Sequence, residues 1–235
     1  MKIKKYVLLV FLFIMGLTGL VIAIFPTVSN FLQERQQEKR VEEYRNQLAA
    51  MEQEMYNRLF AQAEEYNGRL YEKNIDFENI DSNRYWLQTE GLDYQQLLKI
   101  EEDAIMGYLT IDKLDLCLTI DYGTEDDVLQ KSVGHMEGTS LPIGGETTHA
   151  VLFGHRGLPS SKLFTHLDQM EIGDTFVIHV LNRTLVYEVD QILVVTPEVT
   201  EDLKIEKGKD YVTLVTCTPY AVNTHRLLVR GVRIE

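Results

Sequence analysis

The sequence predicts a mainly β domain, either a barrel or a sandwich, preceded by a transmembrane helix and a helical spacer. Three observations predict this order. An uncharged apolar run stands near the N-terminus, and a polar stretch without Pro or Gly follows it. From Gly107 onward, short β-branched runs alternate with turn signals. The chain of 235 residues is long enough for one substantial domain plus this N-terminal extension.

The apolar run covers Tyr6 to Phe25 and contains no charged residue. A helix of this length spans about 30 Å, the thickness of the hydrocarbon core of a bilayer. The lysines at positions 2, 4 and 5 favour a cytoplasmic N-terminus. The alternative is a cleaved signal peptide, but the run is long for that and no A-x-A-like site follows. We therefore expect a cytoplasmic tail at 1–5, an uncleaved single-pass anchor at 6–28 and an extracellular remainder.

Two segments separate the anchor from the β-rich body. Residues 29–67 read as one or two helices that form a spacer, and the spacer packs on the domain through a periodic apolar stripe. Residues 68–100 are rich in Asn and Asp and predict an irregular, lid-like segment, with a short helix near Tyr94 to Leu98. The stripe consists of Val41, Tyr44, Leu48, Met51, Met55, Leu59 and Phe60.

The body, residues 101–235, contains eight short strand candidates over ~130 residues, which is typical of a barrel or sandwich. Short helices are expected at 126–131, 162–170 and 200–203. The predicted strands are Gly107–Ile111, Leu116–Ile120, Ala150–Phe153, Thr175–Val180, Thr184–Val189, Ile192–Val195, Tyr211–Thr216 and Leu227–Ile234.

Composition narrows the possible functions. The net charge of −13 argues against nucleic-acid binding, which needs Lys and Arg patches that neutralise phosphates. The sequence has no CxxC, HExxH or EF-hand pattern, so we expect no metal and no cofactor. Of the two cysteines, Cys117 lies in a predicted strand and is expected to be a free structural thiol, with a Cys117–Cys217 disulfide as the less favoured alternative.

The strongest chemical signal is Thr213-Leu214-Val215-Thr216-Cys217, which delivers a thiol to the end of a predicted strand. Arg226 stands near the start of the next strand, where it would stabilise an oxyanion or pair with one of the many carboxylates. A nucleophilic thiol also needs a proton donor, and histidine serves because its pKa is near neutral. His155 in FGHRG, between two glycines at a strand end, has a modest advantage over His135. The remaining histidines are His149, His166, His179 and His225.

These motifs resemble the sortases. TLVTC at Cys217, FGHRG at His155 and NTHRLLVRG at Arg226 match the signatures of that family, in its order of His, Cys and Arg. The segments VGHMEGTSLPIGG at 133–145 and GHRGLPSSKLFTHLDQM at 154–170 are similar to class C sortases, the pilus-assembling group of Gram-positive bacteria. The resemblance extends from about Gly107 to Arg233.

The resemblance implies an eight-stranded sortase-type β-barrel with short helices, and a cysteine transpeptidase that acts on an LPxTG-like sorting signal. It implies that Cys217 attacks the Thr carbonyl to form a thioacyl-enzyme, that His155 protonates the departing amine and that Arg226 binds the carbonyl or oxyanion. A lysine amine of a pilin subunit would then resolve the thioacyl group and build a covalent pilus. The implied partners are pilin subunits that carry sorting signals and acceptor lysines.

The sequence departs from the class C pattern in two places. The usual Asp-Pro-aromatic lid motif is absent, because the prolines stand at 26, 142, 159, 197 and 219. Asp76, Phe77, Asp81 and Trp86 are the candidate substitutes for it. Class C members often carry a second hydrophobic segment after the barrel, whereas this sequence runs to Glu235 without one.

Two other functions remain open from the residues alone. One is a secreted cysteine hydrolase that uses the same thiol and imidazole but takes water as the acyl acceptor. The other is a non-catalytic pilus assembly factor with a vestigial site. The identity of the acyl acceptor separates the first from a transpeptidase, and a trapped thioacyl adduct at Cys217 separates the second.

Overall fold

The computed structural model describes residues 2–73, 93–101 and 104–235. Its β-strands close into a barrel in the order β1-β2-β3-β4-β7-β8-β6-β5. The strands are β1 (Gly107–Ile111), β2 (Leu116–Tyr122), β3 (Val133–His135), β4 (Thr148–Phe153), β5 (Thr175–Val180), β6 (Arg183–Val195), β7 (Asp210–Thr218) and β8 (His225–Arg233). The helices are α1 (Lys2–Ala49), α2 (Gln53–Lys73) and α3 (Asp126–Leu129). The predicted eight-stranded barrel is thus confirmed.

The strands differ from the prediction in two details. β3 was not expected from the sequence, since it has three residues and Gly134 at its centre. That glycine is required because a Cβ there would lie 2.2 Å from the carbonyl oxygen of Gly123. In the other detail, two predicted strands form the single strand β6, which continues across an irregularity between Val189 and Gln191.

The four predicted short helices are also present, in shorter form. Besides α3, the chain makes 3₁₀ turns at Leu167–Gln169 and Glu201–Leu203. The turn at Tyr94–Gln96 begins with Asp93, whose side chain accepts a hydrogen bond from the Gln95 N–H. Single 3₁₀ turns suffice here because each one only redirects the chain between longer elements.

The topology brings the ends of distant segments together. Most neighbours in the barrel are antiparallel, but β4 and β7 pair in parallel from Thr148↔Asp210 to Phe153↔Val215. Parallel neighbours require a long crossover, which is supplied here by the connection, β5 and β6 between them. The carboxyl ends of β4 and β7 therefore lie side by side, next to the start of β8.

Helix α1 is unbroken from the apolar run to Ala49, through Pro26. Beyond the apolar run it lies against the outside of the barrel. Arg40 makes a two-pronged ion pair with Asp121 at 2.7 and 2.5 Å. Tyr44 is buried, and its hydroxyl donates to the Met106 carbonyl at 3.2 Å and accepts from the Leu181 N–H at 2.7 Å. The helix and the barrel therefore form one packed unit.

The apolar stripe of the predicted spacer packs against the domain, as expected. Val41, Tyr44, Leu59 and Phe60 are buried, and Leu48 and Met51 are partly buried against the core. Met55 remains 37% exposed, at the edge of this contact. The stripe includes residues of both α1 and α2, so both helices pack on the barrel through it. We infer that this tertiary packing stabilises them more than helix propensity does.

Candidate active site

Three adjacent strands, β4, β7 and β8, bring the candidate residues to one edge of the barrel. In the β7–β8 pair, Cys217 stands directly opposite Arg226. The parallel β4–β7 pairing ends at Phe153↔Val215, and the Gly154 N–H donates to the Val215 carbonyl at 3.0 Å, one residue further. His155 therefore follows β4 at the level where Cys217 follows Val215. The register places the imidazole, thiol and guanidinium on three neighbouring strand ends.

The same three residues share the outer face of the sheet. Side chains alternate between faces along a strand. Leu214 and Val229 point into the main core, whereas Val215 and Leu228 belong to a separate cluster on the other face. Cys217 and Arg226 have the parity of the second pair. This outer cluster consists of Val151, Leu203, Val215 and Leu228, with Met136, Phe153, Leu193 and Val195 packed around them.

Gly154 explains why His155 turns outward. A Cβ at Gly154 would lie 2.5 Å from the ring of Phe164, which is part of the main core. Only a residue without a side chain allows that ring to approach the backbone so closely. Phe164 thus fills the inward side at Gly154, and from the alternation of side chains we infer that the next one, His155, lies on the outer face.

The reactive groups are only partly shielded from solvent. Cys217, His155 and Arg226 are all half-buried, and the Cys217 thiol is free. Arg226 Nη1 donates to the carbonyl of Asn223, in the β7–β8 loop, at 3.4 Å and to that of His225, the first residue of β8, at 3.2 Å. Such long bonds leave the guanidinium available for a ligand.

The connection between β6 and β7 brings a carboxylate near the guanidinium. The pKa of Glu198 lies below its usual value, first through hydrogen bonds from its own backbone and from Thr196, and then through the positive charges of Arg226 and His225. The side chain is exposed, so the attraction is weak and screened. Among the described residues, the ion-pair role that the sequence allowed for Arg226 is thus limited to a weak attraction to this exposed carboxylate.

Arg156 ties the loop that carries His155 to the strand that carries Cys217. Its Nη1 donates to Thr218 Oγ1 at 3.0 Å, and its Nε donates to the Thr165 carbonyl at 3.2 Å. Its Nη2 pairs with Asp168 at 2.5 Å, while the Arg156 side chain is only 9% exposed. Arg156 is not among the candidate residues that the sequence motifs indicated. Its place in FGHRG was visible, but its partners are separated from it in sequence by up to 62 positions.

A second contact joins the two loops at the site. The Tyr220 ring in the β7–β8 loop lies against Gly157, where a Cβ would meet the ring at 2.7 Å. Gly157 has φ +83°, a conformation that L side chains rarely adopt. Because the ring and the backbone fit this closely, the loop after Cys217 is held beside the loop after His155.

The other histidines have structural contacts. His135 is buried, with Nδ1 2.8 Å from the Tyr94 hydroxyl and Nε2 2.8 Å from the Ser140 carbonyl, and burial lowers its pKa to about 4. His149 lies between the Lys204 carbonyl and Thr213 Oγ1, and burial lowers its pKa to about 4 as well. His179 stacks on Tyr108. A histidine kept neutral at physiological pH is poorly suited to protonate a leaving group.

The remaining site predictions fall elsewhere in the chain. The candidate lid residues Asp76, Phe77, Asp81 and Trp86 lie outside the described residues. Cys117 is a free, exposed thiol on β2, so the two cysteines are not joined. Within residues 2–73, 93–101 and 104–235, no group of three or more His, Cys, Asp or Glu side chains could hold a metal ion.

The chain is similar in sequence and structure to known proteins of one family. A family model described as a sortase domain matches residues 109–234. The crystal structure of sortase C1 from Streptococcus agalactiae is 44% identical, with a TM-score of 0.75 over 84% of this chain and 98% of that one. Sortase C from Streptococcus pneumoniae is 40% identical, with a TM-score of 0.72 over 83% of this chain and 96% of that one.

Further matches extend the comparison. Clostridium perfringens sortase C, solved with the C-terminal cell wall sorting motif, is 41% identical, with a TM-score of 0.69 over 83% of this chain and 97% of that one. Sortase D of Bacillus subtilis is 29% identical over 52% of this chain, and the alignment spans 59% of that protein's length. Sortase A of Streptococcus agalactiae is 29% identical over 66% of this chain and 62% of its own length. The resemblance to sortase C seen in the motifs is confirmed by these structural neighbours.

Proposed function

The chain belongs to the sortase family, and from this premise we propose that it is a membrane-anchored cysteine transpeptidase that joins pilin subunits. The observation that carries the proposal is the meeting of His155, Cys217 and Arg226 on one outer face, at the ends of three adjacent strands. The outer apolar cluster lies on the same face, and its partly buried members are the part that an extended peptide could contact, namely Met136, Phe153, Leu193 and Val195.

The first half-reaction forms a thioester. The Cys217 thiolate attacks the Thr carbonyl of an LPxTG-like sorting signal, and the C–N bond to the following Gly breaks. His155, as the imidazolium, gives its proton to the departing amine. Arg226 donates hydrogen bonds to the carbonyl oxygen as it becomes negative in the tetrahedral intermediate. Placement opposite Cys217 on the next strand suits Arg226 to this role.

The second half-reaction transfers the acyl group. A lysine amine of a pilin subunit attacks the thioester, the C–S bond breaks and an amide bond forms. The now neutral His155 accepts the proton that the amine loses, which restores the imidazolium and thiolate pair. Two structural neighbours support the substrate class: the sortase C structure from Streptococcus pneumoniae bears on pilin substrate specificity, and that from Clostridium perfringens was solved with the C-terminal cell wall sorting motif.

The N-terminal helix contains an apolar stretch that is long enough for a single-pass membrane anchor. We propose that residues 1–5 are cytoplasmic, that 6–28 cross the membrane and that the catalytic barrel, 101–235, is extracellular. The helical spacer at 29–67 and the segment at 68–100 connect the two. The lysines that precede the apolar run support this orientation.

A peptide reaction tests the proposal. The full-length protein in detergent or nanodiscs is incubated with a fluorescent LPxTG-like peptide and a lysine-bearing pilin domain. We expect an amide-linked product and a thioester adduct at Cys217, both detected by mass spectrometry, and neither with Cys217→Ala. Cys117→Ala serves as the matched control, because it removes the other free thiol and should leave both products unchanged.

Two outcomes would contradict the proposal. Cleavage at the same rate with and without an amine, giving only the free acid, would identify a hydrolase instead. Absence of both a thioester adduct and cleavage in the wild-type protein would favour a non-catalytic assembly factor.

A further inference from the structure

Contacts along α1 fix how the barrel lies relative to the apolar run of the same helix. Just after the apolar run, Ser29 Oγ donates to the Ser160 carbonyl at 3.2 Å, and Glu34 pairs with Lys162 at 2.6 Å. Ser160 and Lys162 lie in the loop that follows His155. The contacts of Tyr44, further along the helix, are with Met106 and Leu181 at the other end of the barrel.

The order of these contacts shows that α1 runs along the barrel from its active-site end to its opposite end. From Ser29 to Tyr44 the helix rises about 22 Å, at 1.5 Å per residue. The headgroup region adds only about 5–7 Å on each side of the hydrocarbon core. If the apolar run spans the hydrocarbon core of the bilayer, the loop beside Ser29 lies at the depth of the headgroups. The opposite end of the barrel then lies in water.

Exposed apolar side chains gather at that same end. Tyr220 and Val222 in the β7–β8 loop are 55% and 63% exposed, and Tyr220 lies against Gly157 in the loop that contacts α1. Ile172 is 63% exposed in the turn before β5. That turn is joined to Lys113, in the β1–β2 turn, through Glu171 at 2.9 Å and Asp174 at 2.7 Å.

The β1–β2 turn also lies near the start of the docked part of α1. Asp112 and Asp115 line the same cleft of about 530 Å³ as Asn30 and Ser161. The turn of Ile172 is thus linked through Lys113 to the cleft beside Asn30, and the loop of Val222 is linked through Tyr220 to the loop that contacts Ser29. At the opposite end, Ile234 is comparably exposed, at 52%, but follows the last strand.

We propose that the active-site end of the barrel rests on the outer surface of the lipid bilayer. Its apolar tips, Ile172, Tyr220 and Val222, sit among the phospholipid headgroups, and Cys217 is held within this interfacial layer. Interfacial regions favour side chains with apolar bodies, and tyrosine in particular. The site is thus placed to meet a peptide that emerges from the membrane. The inference rests on the membrane anchoring in the proposed function.

Tryptophan fluorescence with brominated phosphatidylcholine tests this orientation. Trp86 is the only tryptophan, so Trp86→Phe provides a silent background. In this background, Val222→Trp and Ile172→Trp report the proposed face, Ile234→Trp the opposite end and Phe13→Trp the anchor. The full chain is reconstituted in nanodiscs. We expect Val222→Trp and Ile172→Trp to be quenched at least about threefold more than Ile234→Trp.

The controls distinguish the possible failures. If Phe13→Trp is quenched but Val222→Trp and Ile172→Trp are quenched no more than Ile234→Trp, the orientation is wrong and the anchor stands. If Phe13→Trp itself is not quenched, the anchor and this inference both fail. Neither result depends on turnover, so the transpeptidase activity is judged separately by its own thioester adduct.

Discussion

The two ends of β7 differ in how many partners their polar side chains have. At the start of the strand, Asp210 is almost fully paired: Oδ2 accepts from the Gly145 N–H at 2.7 Å and from Arg233 at 3.2 Å, and Oδ1 accepts from the Tyr187 hydroxyl at 2.9 Å. The Asp210 side chain is only 13% exposed. Each donor that this carboxylate receives lies on a different segment, so Asp210 fastens that end of the barrel together.

At the other end of the strand, Cys217 is half-buried, and among the described contacts Arg226 opposite it hydrogen-bonds only to the carbonyls of Asn223 and His225, close to it in sequence. The firm contacts belong to its neighbours, Thr216 with Gly154 at 2.7 Å and Thr218 with Arg156 at 3.0 Å. One end of β7 is therefore held by a network of hydrogen bonds and ion pairs. This support allows the candidate catalytic groups at the other end to keep hydrogen-bonding capacity for a substrate.

Removal of the guanidinium at the reactive end should give the largest effect. We expect Arg226→Ala to lower kcat/KM about 10²–10³-fold, as for the loss of one oxyanion donor, with little change in Tm. Arg230→Ala is the matched control on the same face of β8, where Arg230 pairs with Asp190 at 2.9 Å and lies over the Tyr211 ring. It should lower Tm and largely retain kcat. A reversed pattern in steady-state kinetics and calorimetry would contradict the comparison.

At the fastened end, the effect should fall on stability instead. Asp210→Ala leaves the Gly145 N–H, the Tyr187 hydroxyl and Arg233 without their acceptor, and we expect a loss of about 3 kcal/mol in the free energy of unfolding. Denaturant titration measures that loss. The kcat of the protein that remains folded should change by less than about threefold, since no step involves this end. A selective collapse of kcat at unchanged stability would show that the two ends are coupled.

The buried histidines predict how stability depends on pH. Burial lowers the pKa of His135 and His149 to about 4, below the value of an exposed histidine. Their contribution is therefore complete above about pH 6.5 and is lost as the pH falls towards 4, by up to about 1.4 kcal/mol per pH unit for each. Urea unfolding at a series of pH values checks this. His149→Gln should flatten the slope, and an unchanged slope would contradict it.

The hydrogen bond between Arg156 and Thr218 should have the smallest effect. Thr218→Val removes the acceptor of a 3.0 Å bond while keeping the shape of the side chain. We expect a decrease of about three- to tenfold in kcat, corresponding to about 1 kcal/mol, because the loop of His155 is held less firmly against the strand of Cys217. Thr218→Ser, which retains the hydroxyl, should restore the rate. If both variants behave alike, the bond does not position the site.

Local patterns in the sequence predicted much of the barrel. The runs of β1, β5 and β7 lie where they were expected. In β5 buried residues alternate with more exposed ones, whereas β1 and β7 are short and almost continuously buried runs between turns. β3 could not be predicted in this way. A strand of three residues with a central glycine carries almost no periodic signal, and only its neighbours in the barrel define it.

The candidate site was predicted unevenly for a related reason. Cys217 and Arg226 belong to consecutive strands, so a single turn was enough to expect them to be neighbours. His155 lies beside them because β4 pairs in parallel with β7, and no local sequence pattern reveals a pairing across such a crossover. The choice of His155 over His135 therefore depended on the family motifs. Burial then separates these histidines physically: His155 is half-buried, whereas His135 is fully enclosed beside Tyr94.

The continuity of α1 has a practical consequence for handling the enzyme in water. The helix of 48 residues serves two environments, and its second half supplies the pair between Arg40 and Asp121 and the buried ring of Tyr44. A soluble fragment that starts after Ala49 would strip this side of the barrel and expose the apolar surface that Val41 and Tyr44 cover. A soluble fragment should therefore begin near Ser29, between the apolar part of α1 and the part that packs on the barrel.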